Sequence, residues 1–213
     1  MPPGRTLVIE TATAACSVAL IEGGVLVDAA HEVVGRGHAE RLIPMIAALP
    51  GQGRARRILV DCGPGSFTGV RVGLAAARGL AIGWGAEVLG YSSLPLVAAA
   101  AFAADSSLAG LAVVLEGGHG EVFMQRFTAP PLAPDGDFGS LVPADALARL
   151  GGLPAFGNGV RHLAALDPAL ALHDTLPRAA DAPLLPEAFA ALPPRPIYGR
   201  APDARTLEER LAS

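Results

Sequence analysis

The chain contains no lysine, and all sixteen of its basic residues are arginines. Mechanisms that need a lysine are therefore excluded: a Schiff base, a pyridoxal phosphate anchor, a lysine general base and a P-loop lysine. Two cysteines, Cys16 and Cys62, do not suggest a disulfide scaffold. No apolar run reaches the length of a membrane span, since the nearest one, 94–104, is too short. These absences predict a cytoplasmic protein without membrane contact.

What the chain does contain is apolar and slightly acidic. Hydrophobic residues make up 51% of the sequence, which predicts packed domains rather than disorder. The net charge of −4 argues against a general coating of nucleic acid but leaves room for a local arginine patch. The only tight cluster is Arg54, Arg56 and Arg57, for which we expect a solvated loop. The first residues lead directly into an apolar strand, so we expect no signal peptide.

Hydrophobic periodicity predicts alternating strands and helices in the first half of the chain. The predicted elements are strands over 6–10, 16–22 and 25–33, a helix over 38–49, a strand over 58–61, a helix over 67–83, a strand over 87–90 and a helix over 93–104.

The second half is predicted to hold fewer and shorter elements. They are a hairpin of strands 111–116 and 121–127, an exposed loop over 129–139, a strand near 155–156, and helices near 144–150, 160–166 and 186–192. This order predicts an α/β fold with two domains, an N-terminal lobe over 1–104 and a smaller C-terminal lobe with a tail over 105–213.

A glycine turn joins the strand 58–61 to the helix that follows it. Its sequence is GPGSFTGVR at 63–71. A strand, a tight turn and a helix thus follow one another, and this order aims backbone N–H groups at an anion. It is not a P-loop, because no Gly-Lys-Ser/Thr ends it, and Thr68 replaces the third glycine of G-x-G-x-x-G. Ser66 is expected to cap the helix. A structural turn without a ligand is the alternative interpretation.

The same run resembles a signature of the bacterial TsaB (YeaZ) family. The opening motif of that family has its counterpart in IETATAACSVAL at 9–20. Less specific counterparts are HAERLIPMI at 38–46, EGGHGEVF at 116–123 and PIYGRA at 196–201. The resemblance implies an actin-like, sugar-kinase-like ATPase (ASKHA, ribonuclease H-like) fold with two lobes, of which the second is reduced.

The resemblance also implies a function without catalysis. Members of this family take part in the synthesis of N6-threonylcarbamoyladenosine (t6A) at position 37 of tRNA. We therefore expect a non-catalytic subunit that pairs with and activates the catalytic sister subunit TsaD, together with the ATPase TsaE. It would form a homodimer when alone and meet tRNA through the complex.

The two turns that hold phosphate in this fold carry glutamate here, where the family has aspartate. The first is Glu10 with Thr11, and the second begins at Glu116. An added methylene would misplace a metal site, so we expect at most a weak, vestigial nucleotide site. We expect no cofactor in this chain and leave open a nucleotide at the subunit junction. His38 has Leu42 four residues on, so the second imidazole of a metal pair is missing.

Small residues follow one stripe of the helix 67–83, which would let another helix approach closely. In the family, this helix and the helix 38–49 form the pairing surface, while packing on the chain's own sheet is the alternative. The predicted interface residues are His38, Leu42, Met45, Ile46, Leu49, Gly69, Arg71, Gly73, Ala76, Arg78, Leu80 and Gly83. This interpretation predicts that Gly73→Arg blocks pairing and leaves the fold intact.

Two other interpretations stay open at this point. One is a self-standing enzyme, either a kinase-like ATPase or a glycoprotease-like (M22) peptidase. A peptidase would use Cys62, with a pKa lowered by the following helix, or Ser66. The other is a homodimer with a separate regulatory role.

Overall fold

The computed structural model describes residues 4–199, which contain two mixed sheets and five α-helices. The strands are β1 (Arg5–Glu10), β2 (Ala15–Glu22), β3 (Val25–Val33), β4 (Arg57–Asp61), β5 (Glu87–Tyr91), β6 (Gly110–Gly118), β7 (Glu121–Thr128), β8 (Ala133–Leu141), β9 (Ala155–Phe156) and β10 (Leu172–His173). The helices are α1 (His38–Ala48), α2 (Phe67–Trp84), α3 (Ser93–Ala104), α4 (Pro143–Leu150) and α5 (Val160–Ala164). Within residues 4–199, no helix is long and apolar enough to cross a membrane.

The two sheets have the same topology. The first has the order β3-β2-β1-β4-β5, and the second has the order β8-β7-β6-β9-β10 when read from its hairpin edge. In the first sheet, β2 pairs antiparallel with β1 and β3, while β4 pairs in parallel with β1 and β5. In the second sheet, β7 pairs antiparallel with β6 and β8, while β9 pairs in parallel with β6 and β10. This duplicated order is that of the actin-like ATPases, which confirms the predicted ASKHA fold.

The second lobe is reduced in the size of its elements rather than in their number. Its last two strands, β9 and β10, have two residues each, whereas β4 and β5 have five each. Its helices α4 and α5 have eight and five residues, whereas α1 and α2 have eleven and eighteen. Helix α3 connects the two lobes, and its residues Leu94 and Val97 pack with the second sheet.

Two predictions for the second half were wrong. Residues 129–139, predicted as a loop, contain most of β8, which pairs antiparallel with β7 at the edge of the sheet. An edge strand tolerates Pro134 and Gly136 because half of its backbone needs no partner. The helix predicted near 186–192 is only a short 3-10 turn, Glu187–Phe189, in a segment interrupted by proline.

The end of the described chain returns to the first lobe. Ala182 and Leu185 belong to a buried cluster that contains Val8 of β1 and Tyr91 of β5. The C-terminal segment also pairs with β5 at the edge of the first sheet, because Leu192 and Gly90 exchange two backbone hydrogen bonds of 2.7 and 2.9 Å. The domain boundary at 104/105 therefore stays a prediction, since the C-terminal segment contributes to the N-terminal core.

Helix α2 begins where the sequence predicted. The Ser66 hydroxyl accepts a hydrogen bond of 3.2 Å from the Gly69 N–H, which confirms Ser66 as the N-cap. The helix ends at Gly85, whose φ of 63° is a left-handed cap. Its first turn lies so close to β1 that a Cβ on Gly69 would stand 2.1 Å from the Thr11 carbonyl oxygen.

This contact predicts opposite effects for two alanine substitutions on α2. Gly69→Ala is expected to lower the free energy of unfolding by about 1–3 kcal/mol, because backbone must move to admit the methyl group. Gly79→Ala, where nothing lies within 4 Å of the added Cβ, is expected to raise it by about 0.5–1 kcal/mol through helix propensity. Urea unfolding of both variants measures the two changes, and equal effects would contradict the close packing.

Candidate functional site

The glycine turn lies against the turn that follows β1. The Ser66 N–H donates to the Ala12 carbonyl at 2.6 Å, and a Cβ on Gly65 would stand 2.0 Å from that same oxygen. Gly63 has a φ of 94°, a conformation that favours glycine, and its N–H donates to the Asp61 carboxylate at 2.9 Å. The backbone of the glycine turn thus packs directly on the backbone of the turn after β1.

A buried polar cluster lies beneath this contact, at the carboxyl ends of β1, β4 and β5. Glu10 accepts hydrogen bonds from the Ala12 N–H at 2.9 Å and from the Tyr91 hydroxyl at 3.0 Å. Asp61 accepts one from the Ser93 hydroxyl at 2.6 Å, and it shares a hydrogen bond with Glu10. All four side chains are fully buried. The cluster thus joins three strands and the start of α3.

The two carboxyl groups of this cluster share one proton. Burial raises the pKa of Glu10 well above its usual range, and the charge of Asp61 raises it further. Burial also raises the pKa of Asp61, while its hydrogen bonds with Glu10 and Ser93 act in the opposite direction. Because two adjacent buried charges are costly, Glu10 keeps the proton and donates it to the Asp61 carboxylate.

The structure does not place the first predicted nucleotide ligands at an open site. Glu10 and Thr11 are both fully buried, and the Thr11 hydroxyl donates to the Gly69 carbonyl at 2.8 Å. In this arrangement both side chains contact protein groups, so their assignment as nucleotide ligands is not supported. The physical reason is that both side chains are turned into the core, where backbone groups and Tyr91 are their hydrogen-bond partners.

The second turn differs from the first. Glu116 is exposed, and its carboxylate forms an ion pair of 2.6 Å with Arg161. Its backbone N–H donates to the Asn158 side-chain oxygen at 3.1 Å. Glu116 therefore remains accessible, although its charge is already paired. Among residues 4–199 there is no group of three or more His, Cys, Asp or Glu side chains that could hold a metal ion.

His38 serves the fold rather than an exposed surface. It is buried at the start of α1, and its Nε2 lies 2.9 Å from the Thr13 carbonyl and 3.1 Å from the Ala15 carbonyl. Two carbonyl acceptors require the proton on Nε2. The imidazole therefore ties α1 to the turn after β1, and its assignment to a pairing interface was wrong.

Seven of the twelve predicted interface residues, His38 among them, lie inside the chain's own core. An amphipathic helix first covers its own sheet, and the glycines allow α2 to do so closely. The residues corrected in this way, besides His38, are Leu42, Met45, Ile46, Leu49, Gly69 and Gly73. A Cβ on Gly73 would stand 2.4 Å from the Thr11 hydroxyl, so Gly73→Arg would disrupt the fold and cannot test pairing.

The remaining predicted residues lie on or beside the outer side of α2. Arg71, Arg78 and Gly83 are exposed, whereas Ala76 and Leu80 are half-buried against the core. Sequence reasoning missed the exposed apolar residues that complete this side. We define the outer face by Ile43 and Ala47 of α1 and Ala75, Gly79 and Ile82 of α2.

This outer face is suited to contact another helix. Ile82 is 87% exposed and Ile43 is 49% exposed. Nothing lies within 4 Å of a Cβ built on Gly79 or Gly83, so a second helix could approach the backbone there. Helix α2 has no acidic residue and only two arginines, and its lack of a polar side was the sequence signal for this surface.

The chain is similar to known proteins in sequence and in fold. Residues 20–129, just over half of the chain, match the family model described as TsaD, tRNA N6-adenosine threonylcarbamoyltransferase. The chain belongs to this family. YeaZ from Pseudomonas aeruginosa superimposes with a TM-score of 0.77 at 26% identity, over 92% of this chain and 99% of that one. A second structure, equally similar, is described as having similarity to peptidase YEAZ.

Curated relatives of the family match the chain over part of their length. The Escherichia coli protein TsaB, named for tRNA threonylcarbamoyladenosine biosynthesis, is 38% identical over 128 residues. The Haemophilus influenzae TsaB is 42% identical over 103 residues. These matches span 58% and 45% of this chain, and 54% and 42% of the two relatives. The chain thus spans about half the length of the curated relatives it matches.

The shared proton predicts how stability depends on pH. Folding raises the pKa of Glu10, so the protonated Glu10 contributes fully to the free energy of unfolding below pH 4.5, the ordinary pKa of a glutamate. This contribution is lost as the pH rises from 4.5 through the raised pKa of the folded state. The free energy of unfolding should therefore fall over this interval. Glu10→Gln, whose amide can donate to Asp61, should reduce this slope.

Urea unfolding between about pH 4 and pH 8 measures the slope. Glu187→Gln is the matched control, because Glu187 is exposed and should follow the wild-type curve. Parallel curves for Glu10→Gln and the wild type would show that Glu10 does not take up the proton.

Proposed function

We propose that the chain is a non-catalytic subunit of the bacterial complex that makes t6A at position 37 of tRNA. In this proposal it pairs through its outer face with the catalytic sister subunit TsaD and activates it together with the ATPase TsaE. The observation that carries the proposal is the exposed apolar outer face, beside a first turn whose Glu10 and Thr11 are buried. Family membership and the names of the curated relatives support it.

The closed first turn favours a scaffolding role over a kinase-like ATPase. Phosphate transfer needs groups that face the nucleotide and its metal ion. Glu10 faces Asp61 and Tyr91 instead, and Thr11 faces the backbone of α2. A nucleotide held between this chain and the sister subunit is compatible with the exposed Glu116 and belongs to the proposal.

The peptidase interpretation has little support in the geometry. Cys62 is buried, and burial raises the pKa of its thiol to about 12, opposite to the lowered pKa expected beside a helix. A nucleophile needs the thiolate at neutral pH. The Ser66 hydroxyl caps α2, and within residues 4–199 it has no hydrogen bond with a histidine. Neither side chain is placed as an activated nucleophile.

In this proposal two copies of the chain would also pair through the outer face when the sister subunit is absent. A surface with two exposed isoleucines and small residues between them favours self-association if no partner covers it. The sister subunit has the same fold in this proposal, so it would present an equivalent pair of helices. tRNA would then meet the chain through the assembled complex.

Size-exclusion chromatography with light scattering tests the pairing directly. The chain mixed with TsaD from the same organism should give a heterodimer that replaces any homodimer. Ile82→Arg should weaken this association by about 30-fold or more, because a cation would occupy the centre of an apolar contact. Ile82 is 87% exposed, so the fold should tolerate the change.

Leu166→Arg is the matched control, because Leu166 is an exposed leucine of the second lobe and should pair normally. Association that survives Ile82→Arg would remove the outer face from the interface. A lack of association with TsaD, with or without nucleotide and TsaE, would overturn the proposed function and favour a self-standing protein.

A further inference from the structure

Two exposed aromatic rings flank an arginine at the start of α2. The Arg71 guanidinium carbon lies 3.5 Å from the centroid of the Phe67 ring, and its Nη2 donates to the Tyr198 hydroxyl at 3.1 Å. The Phe67 and Tyr198 rings are 6.3 Å apart. Phe67 is 59% exposed and Tyr198 is 56% exposed. We call these three residues the aromatic–arginine cluster.

The cluster joins residues that are distant in the sequence, and hydrogen bonds to the rest of the chain hold its Tyr198 segment against α2. Tyr198 lies in the strap, residues 192–198, which runs beside α2. The strap is held by a hydrogen bond from the Ile197 N–H to the Cys62 carbonyl at 2.8 Å, and by one from Arg78 to the Pro194 carbonyl at 2.8 Å. Stacking on Phe67 and bonding to Tyr198 orient the Arg71 guanidinium before any ligand arrives.

The positive charge of this edge is not neutralised. Arg71 and Arg78 donate to a hydroxyl and a carbonyl, and neither is among the ion pairs formed within residues 4–199. Arg195 of the strap is exposed beside them. Neither α2 nor the strap contains an aspartate or glutamate. In a chain with a net charge of −4, this edge attracts anions locally.

Exposed rings and unpaired arginines together fit a nucleic acid better than an acidic protein segment. Carboxylates would satisfy the arginines but would leave the two ring faces without a matching partner. An unpaired stretch of RNA offers both bases that stack on aromatic or guanidinium planes and phosphates that bind arginine. Along α2, Arg71 and Arg78 are seven residues or about 10 Å apart, far enough to contact different phosphates.

We propose that the aromatic–arginine cluster, with Arg78 and Arg195 beside it, binds an unpaired stretch of RNA. This inference rests on the proposed function, since it assigns to the chain a part of the tRNA contact of the complex. Arg71 and Arg78 precede Ala75 and Ile82 of the outer face by four residues each, so the cluster borders that face along α2.

Fluorescence anisotropy with a labelled single-stranded RNA of about ten nucleotides tests this inference. Tyr198→Ala should weaken binding about tenfold, because one stacking platform is lost. Arg71→Gln and Arg78→Gln should each lower the slope of log affinity against log salt by about 0.7. A duplex RNA of the same length should bind more weakly, because its bases are already stacked.

Two matched variants separate the cluster from general charge. Arg54→Gln removes the same charge from an exposed arginine elsewhere and should leave binding unchanged. Arg71→Lys keeps the charge but loses the planar group, so it should weaken single-strand binding and keep the salt slope. Equal unfolding free energies would show that each variant is folded.

The pairing experiment distinguishes this inference from the proposed function. If the cluster variants pair with TsaD normally and bind single-stranded RNA weakly, the inference holds. If they lose pairing and bind RNA like the wild type, the cluster contacts protein and the inference is wrong. Equal binding of single-stranded and duplex RNA by the wild type would also overturn it, since stacking would then contribute nothing.

Discussion

The close contact between the glycine turn and the turn after β1 is the constraint on which the rest of the structure depends. Gly65 and Gly69 meet the carbonyl oxygens of Ala12 and Thr11 at distances that exclude any side chain. Because interiors are close-packed and do not deform easily, this contact fixes the start of α2 against the end of β1. The burial of Glu10, the direction of α2 and the surface that it exposes all follow from it.

The buried carboxyl pair lies directly beneath that contact. Glu10 and Asp61 contact each other and receive hydrogen bonds from Tyr91 and Ser93, and burial beside Asp61 favours the protonated form of Glu10. Glu116, the corresponding acid of the second lobe, stays exposed and pairs with Arg161. Two turns that are similar in sequence thus differ in exposure, because the acid of the first is buried and the acid of the second faces solvent.

Different parts of the surface of helix α2 contact the chain's own sheet, contribute to the outer face and contact the strap. One side packs on its own sheet through Gly69 and Gly73, and a second forms the outer face with α1. Arg71 and Arg78, each four residues before Ala75 and Ile82 of that face, contact the strap at its edge. The proposed pairing and the proposed RNA contact therefore use adjoining parts of the exposed surface of α2.

Local sequence determined much of the first lobe, because alternation, helix periodicity and caps such as Ser66 act over a few residues. The motifs also determined the family and the ASKHA fold. Tertiary structure alone decided the rest: β8 forms by pairing at a sheet edge, despite its proline and glycines. Gly73 and Gly79 are alike in sequence, yet one meets Thr11 and the other meets solvent. Periodicity indicates an apolar side of a helix, but whether that side meets the chain's own sheet or another surface, and which distant residues it meets, depends on packing between segments.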